Sequence, residues 1–254
     1  MRFDATFMKL RRFPTEKEVD HILQFVTRKK DKDVERLAKD AHTWTRTAWE
    51  NRMDYEVRWL GVPIIQNPYD MLLMQELIFA LRPDLIIETG IAHGGSLVYY
   101  ASLLELLGRG KVVGVDVDIR AHNRKHLESH PMKKRMTLLE GSSADPAVLA
   151  RIRKLIKPGD KVLVCLDSDH RGSHVHEELH CYKGLVTKGS YLVVFDTFIP
   201  YLKGLKGLKP EVSRDTPMDA VDRFLQENKN FKVDEYFHKF FVSSCPRGFL
   251  QKIR

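Results

Sequence analysis

From residue 85 onward, short apolar runs alternate with stretches whose apolar residues recur every three or four positions. The runs are LIIE (85–88), KVVGVD (111–116), MTLLEG (136–141), KVLVCLD (161–167) and SYLVVFD (190–196). Helical spacing fills 95–107, 120–130, 145–156 and 173–186. Near-continuous apolar strands separated by helices predict a mostly parallel sheet buried on both faces, a Rossmann-like doubly wound α/β fold. The late segments FKVDEYF and FVSSCPRGFLQKI predict an antiparallel hairpin at the C-terminal sheet edge. Upstream, LGVPIIQNPYD reads as a connector, and Asp70 stands where an N-cap belongs, ahead of MLLMQELIFAL. Two amphipathic helices are predicted before it, one on Val19, Ile22, Leu23 and Val26, the other on Val34, Leu37, Ala41, Trp44 and Ala48. Residues 1–62 therefore read as a helical appendage, and 63–254 as the α/β domain.

In such a sheet, ligands bind in the crevice at the carboxyl ends of the strands. Each of the five strands ends in an acid: Glu88, Asp116, Glu140, Asp167 and Asp196. The first continues as Glu88-Thr-Gly90-Ile-Ala-His93-Gly94-Gly95-Ser96, a turn whose glycines let backbone approach a ligand. It is neither G-x-G-x-x-G nor the phosphate loop of nucleoside triphosphatases. Glu88 would repel a pyrophosphate and suits a cation. Asp116, with Asp118 as alternative, occupies the station that accepts ribose hydroxyls in nucleoside-binding α/β folds. Gly141, Ser142 and Ser143, with their backbone groups and hydroxyls, could hold an adenine edge. Together these features describe S-adenosylmethionine, cationic and free of phosphate, better than a dinucleotide.

The run RPDLIIETGIAHGGSLVYYASLLELLGRGKVVGVDVDIR resembles the cephalosporin hydroxylase and rhamnosyl O-methyltransferase family, of class I methyltransferase fold. So do WLGVPIIQNPYDMLLMQELI, LDSDHRGSHVHEEL, YLVVFDT, PMDAVDRFLQENKNFKVDE and the closing GFLQKI, so the similarity spans about residues 44–254. The resemblance implies a seven-strand sheet, an S-adenosylmethionine pocket at Glu88 to Ser96, Asp116 and Gly141 to Ser143, more than one copy of the chain in the assembly, and a bound Mg²⁺.

Asp167 and Asp196 end neighbouring strands, so their carboxylates could converge on one hard cation, which Mg²⁺ suits. By resemblance to catechol-type methyltransferases, the ligands are Asp167, Asp196 and Thr197; where other family members carry Glu-Asp, this chain has Phe195-Asp196. Asp167 also borders the cofactor pocket. His170 or Asp169, in the loop after the fourth strand, is expected to take the acceptor proton. His176 and His180, one helical turn apart and off the apolar stripe of their helix, read as solvent-facing. His176-x-Glu178, with His238, offers a weaker non-haem iron reading that lacks the usual barrel scaffold.

These residues point to an S-adenosylmethionine-dependent O-methyltransferase acting on a small hydroxylated acceptor, a sugar or natural product. One rival is a non-catalytic partner of a separate oxygenase. The other is a nucleic-acid methyltransferase, suggested by 42 Lys+Arg against 34 Asp+Glu and by Arg120, Arg124, Lys125 and Lys133–Arg135. No target-base motif supports the latter. Three dispersed cysteines exclude a disulfide scaffold and fit a reducing cytoplasm. No apolar run is long enough for a membrane span.

Overall fold

The computed structural model describes residues 31–254. The chain divides into two units, residues 1–37 and 38–254. The first predicted helix lies outside the described residues. The second is α1, Asp31–Glu50. A small antiparallel ribbon follows, β1 (Arg58–Trp59) with β2 (Val62–Pro63). Next come α2 (Pro68–Leu81), β3 (Leu85–Thr89), α3 (Gly95–Leu106), β4 (Lys111–Asp116), α4 (Ala121–Ser129) and β5 (Met136–Glu140). The chain continues through α5 (Pro146–Arg153), β6 (Val162–Leu166), α6 (Gly172–Tyr182), β7 (Tyr191–Val194), the short α7 (Pro210–Arg214), α8 (Pro217–Glu227), β8 (Phe231–Val233) and β9 (Phe249–Lys252).

The main sheet has seven strands in the order β5-β4-β3-β6-β7-β9-β8. Its members run parallel from β5 through β7, while β9 enters antiparallel between β7 and β8. The order reverses between β3 and β6, which opens a crevice at their carboxyl ends. Strands β3, β6 and β7 are buried along their whole length. One apolar cluster, including Leu73, Leu97, Tyr100 and Leu163, fills one face; another, including Val113, Ile152, Leu179 and Phe224, fills the other.

Just before the expected boundary at 62/63, Val57, Trp59 and Val62 pack on the core of the α/β domain. Trp59 Nε1 donates to Ser102 Oγ at 3.0 Å, and its ring meets Tyr99 edge-on at 4.9 Å. Val62 is buried in the same cluster.

The start of α2 also differs from the reading of the sequence. Pro68 is its first residue, and Asn67, not Asp70, is the N-cap, accepting from Tyr69 N at 3.0 Å. Proline at that position has no N–H to leave unpaired and a φ already suited to the helix, which fixes the start three residues early. Asp70 is buried instead. Its carboxylate accepts Ser243 Oγ and Ser244 N, each at 2.6 Å.

Candidate active site

After β3 the chain turns through Gly90–Gly94 into α3. Gly90 holds φ 87 and lies so close to β6 that a Cβ there would strike the carbonyl of Asp167. Asp116, at the end of β4, fixes this turn from below. Its Oδ2 accepts Ile91 N at 2.8 Å and Ala92 N at 3.2 Å, and its Oδ1 accepts Asp118 N at 3.2 Å. From α4, Asn123 Nδ2 donates to Ala92 O at 2.7 Å. The crevice above the turn is lined by Gln66, Gly90, His93, Gly94, Gly95, Ser96 and Asp167 among others. The structure therefore gathers most of the residues expected to hold a cofactor, and gives Asp116 the further task of shaping the loop.

Glu88 is placed differently from the expectation. It has no exposed surface and lies beneath the turn, where Ser96 Oγ donates to its Oε2 at 2.7 Å. Burial, then the neighbouring Asp167, raise its pKa well above the usual carboxylate range. A residue so enclosed supports the loop from behind and cannot itself face a cationic ligand. Its Oε1, the Tyr100 hydroxyl and both amide atoms of Gln66 are buried without a well-formed hydrogen bond. Buried polar atoms are rarely left so. Gln66 forms part of the crevice wall, with its buried amide beside Tyr100 and Asp167. Reading IIQNP as a connector passed over this residue; the signal was a polar amide inside an otherwise apolar stretch.

The loop after β5 contributes less than expected. Gly141 N donates to Asp116 O at 2.8 Å, tying this loop to the ribose station. Ser142 is exposed. Ser143 is buried and turned toward α6: its hydroxyl meets His174 Nε2 at 3.3 Å, and its carbonyl accepts Tyr182 OH at 2.9 Å. Its hydroxyl thus faces His174 on α6, and Tyr182 anchors the backbone that carries it.

The ends of β6 and β7 converge as expected. One ligand atom from each of Asp167, His170 and Asp196 lies within 4.8 Å of the others. His170 Nδ1 is 2.7 Å from Asp196 Oδ2. The adjacent carboxylate raises the imidazole pKa to about 9, so without a cation this histidine is protonated at neutral pH and is no base. Burial and the Asp196 charge raise Asp167 well above the carboxylate range. Two carboxylates forced together beside an imidazole form an oxygen-rich donor set that a divalent cation would neutralise, so these residues fit one.

Two expected site residues are drawn elsewhere. Thr197 is fully buried and donates its hydroxyl to Pro246 O at 2.7 Å, so it faces the loop before β9 and not the acids. Asp169 is claimed by Arg171: its carboxylate accepts the Arg171 backbone N–H at 2.9 Å and the guanidinium at 2.9 and 2.5 Å. That pairing lowers its pKa, the opposite of what a proton acceptor needs. The iron reading fails on direction. Glu178 accepts Ser168 Oγ at 2.8 Å in the interior, whereas His176 faces Glu227 at 3.2 Å. The basic positions are also partly committed: Arg124 pairs with Glu140, and Lys134 and Arg135 with Glu105. Among the described residues, no helix is long and apolar enough to cross a membrane.

Comparison with known proteins agrees with this fold. Residues 51–253 match the family model described as Rhamnosyl O-methyltransferase/CmcI. A rhamnosyl O-methyltransferase of Mycobacterium bovis (strain BCG / Pasteur 1173P2) is 33% identical over 220 residues, 84% of each chain. That of Mycobacterium leprae (strain TN) is 32% identical over 164 residues, 63% of this chain and 68% of its own. Among solved structures, CmcI-D160 with Mg and S-adenosylmethionine superposes with TM-score 0.59 at 20% identity, covering 79% of this chain and 78% of that one. The apo-structure of CmcI-N160 gives 0.58 at 21%, covering 79% and 77%. These structures share the fold; the sequence match carries the kinship. The chain belongs to the rhamnosyl O-methyltransferase/CmcI family.

Proposed function

We propose that this chain is an S-adenosylmethionine-dependent O-methyltransferase that methylates a hydroxyl of a small, sugar-bearing acceptor with the help of Mg²⁺. The observation that carries the reading is the convergence of Asp167, His170 and Asp196 beside the glycine turn, in a member of this family.

Asp167, Asp196 and His170 would hold the cation. The cofactor supplies a methyl group already activated on sulfonium, and Mg²⁺ supplies a Lewis acid that lowers the pKa of the acceptor hydroxyl. The protein's task is alignment. Asp116 holds the turn amides of Ile91 and Ala92 in place, and the glycines let backbone, not side chain, form the cofactor wall. Gln66 braces the wall of the crevice, its amide beside Tyr100 and Asp167. Arg171 keeps Asp169 ionised and fixes the loop that carries His170. His170, paired with Asp196, holds its proton at Nδ1, and would release it in order to hold a cation. Exposed Met53, Tyr55, Leu60 and Leu72 offer apolar surface for homo-oligomer contacts. The cysteines are free, with Cys165 and Cys245 buried, which accords with a cytoplasmic setting.

Incubating the purified chain with S-adenosylmethionine and a rhamnose-bearing glycoside tests the proposal. A methyl ether and S-adenosylhomocysteine should form together, and chelator should stop both. Turnover that persists in chelator would remove the cation, and binding of no methyl donor would overturn the whole reading.

A further inference from the structure

A second set of ligating side chains stands away from the crevice, where α6 packs on α8. His176 and His180 lie one turn apart on α6, so their rings share a face, with centroids 4.7 Å apart. Both Nε2 atoms converge on one oxygen of Glu227, the last residue of α8: His176 at 3.2 Å and His180 at 2.8 Å. The ligand atoms of all three residues lie within 4.8 Å of one another. We propose that His176, His180 and Glu227 form a site for a zinc-type transition-metal cation that fastens α6 to α8.

The geometry suits such an ion. Zinc bonds of about 2.0–2.2 Å in a tetrahedron place donor atoms about 3.3 Å apart. The observed separations reach that spacing by small rotations of exposed side chains. Two imidazoles and one carboxylate suit zinc better than magnesium, which favours oxygen alone. The side chains are part-exposed, at 28%, 36% and 48%, so water can complete the coordination. His180 is also held in place by Phe224, whose ring it meets edge-on at 5.8 Å.

One neighbour works against the ion and sets its affinity. Lys183 Nζ lies 3.0 Å from His180 Nδ1 and 3.2 Å from Asn228 Oδ1. A histidine that binds metal through Nε2 carries its proton on Nδ1 and seeks an acceptor there. The ammonium must therefore withdraw toward Asn228 when metal binds, which makes the site weak and exchangeable. The helices are already joined near their first residues, where Gly172 N donates to Asp215 O at 2.8 Å and Ser173 N to Asp215 Oδ2 at 2.6 Å. A metal at Glu227 would join their other ends. It would thereby clamp the helix that follows the loop of Asp167 and His170.

Calorimetric titration of the full chain with Zn²⁺ tests this. The Asp167→Asn/Asp196→Asn chain, whose crevice can no longer compete, should still bind one ion, and adding His176→Gln and His180→Gln should abolish it. In the otherwise unmodified chain, the same two histidine substitutions should remove one zinc equivalent, so the result does not depend on the crevice variant. Lys183→Ala should tighten binding about tenfold. Cobalt in the site should show the visible absorption of a four-coordinate ion. Zinc uptake that is unchanged by the histidine substitutions, or absent from every chain, would overturn the proposal.

Discussion

Nδ1 of His170 stands 2.7 Å from Oδ2 of Asp196, which joins the loop after β6 to the turn after β7. Asp196 holds φ 59, a left-handed conformation that a non-glycine residue adopts only where its surroundings insist on it. The neighbouring strands thus end in one cluster, with the half-buried Asp167 carboxylate as its third member.

Replacing Asp196 with alanine should lower methyl transfer by about a hundredfold or more while leaving S-adenosylmethionine affinity unchanged. Its carboxylate belongs to the acid cluster and not to the glycine turn. Initial rates with and without chelator, alongside calorimetric cofactor binding, separate the two effects. An Asp196→Ala chain that keeps full turnover would dismiss the cluster as catalytic.

Asp116→Asn should weaken cofactor binding about tenfold to a hundredfold, or roughly 1.4 to 2.8 kcal/mol. The carboxylate accepts three backbone N–H groups, from Ile91, Ala92 and Asp118. An amide keeps one acceptor oxygen and turns an N–H₂ toward the other donors. Cofactor affinity equal to that of the parent would show that the turn holds without this brace.

Gly90→Ala should destabilise the fold and impair cofactor binding together. The new Cβ would meet the backbone carbonyl of Asp167, which has no freedom to move aside, and φ 87 is itself costly for alanine. The two penalties amount to about 2 kcal/mol or more. Thermal unfolding reads the loss directly. By contrast, a Cβ at Gly159 meets nothing, although its φ is also 87, so Gly159→Ala isolates the conformational part alone.

The sheet was legible because β3, β6 and β7 are buried on both faces, which leaves nearly unbroken apolar runs in the sequence. The strand-end acids were legible as stations, but not as directions. Asp169 and Thr197 each stand beside a residue of the acid cluster, yet Arg171 claims one and Pro246 O the other. Adjacency in sequence does not say which way a side chain turns. Glu88 ends a strand like Asp116 but points beneath the turn, since Ser96 receives it there. Asp70 looked like a cap because its partners, Ser243 and Ser244, lie near the other end of the chain. His176 and His180 read as solvent-facing for the same reason: only the packing of α8 brings Glu227 to them.

Asp70 also sets a pH dependence whose sign can be worked out. The carboxyl is buried, and despite its bonds to Ser243 and Ser244 its pKa is raised to about 7. An unfolded aspartate titrates near about 3.9. Between these values the folded chain keeps a proton that the unfolded chain releases, so unfolding loses protons and stability falls as pH rises. The contribution is whole below about pH 4 and is lost as pH climbs through about 7, a change on the order of a few kcal/mol. Asp70→Asn stays neutral throughout. Its Oδ1 can accept Ser244 N, while its Nδ2 donates to Ser243 Oγ. Urea unfolding of both chains between about pH 5 and pH 8 should therefore show the parent losing stability relative to the variant as pH rises. Parallel curves would mean that Asp70 is ionised in the folded chain across this range.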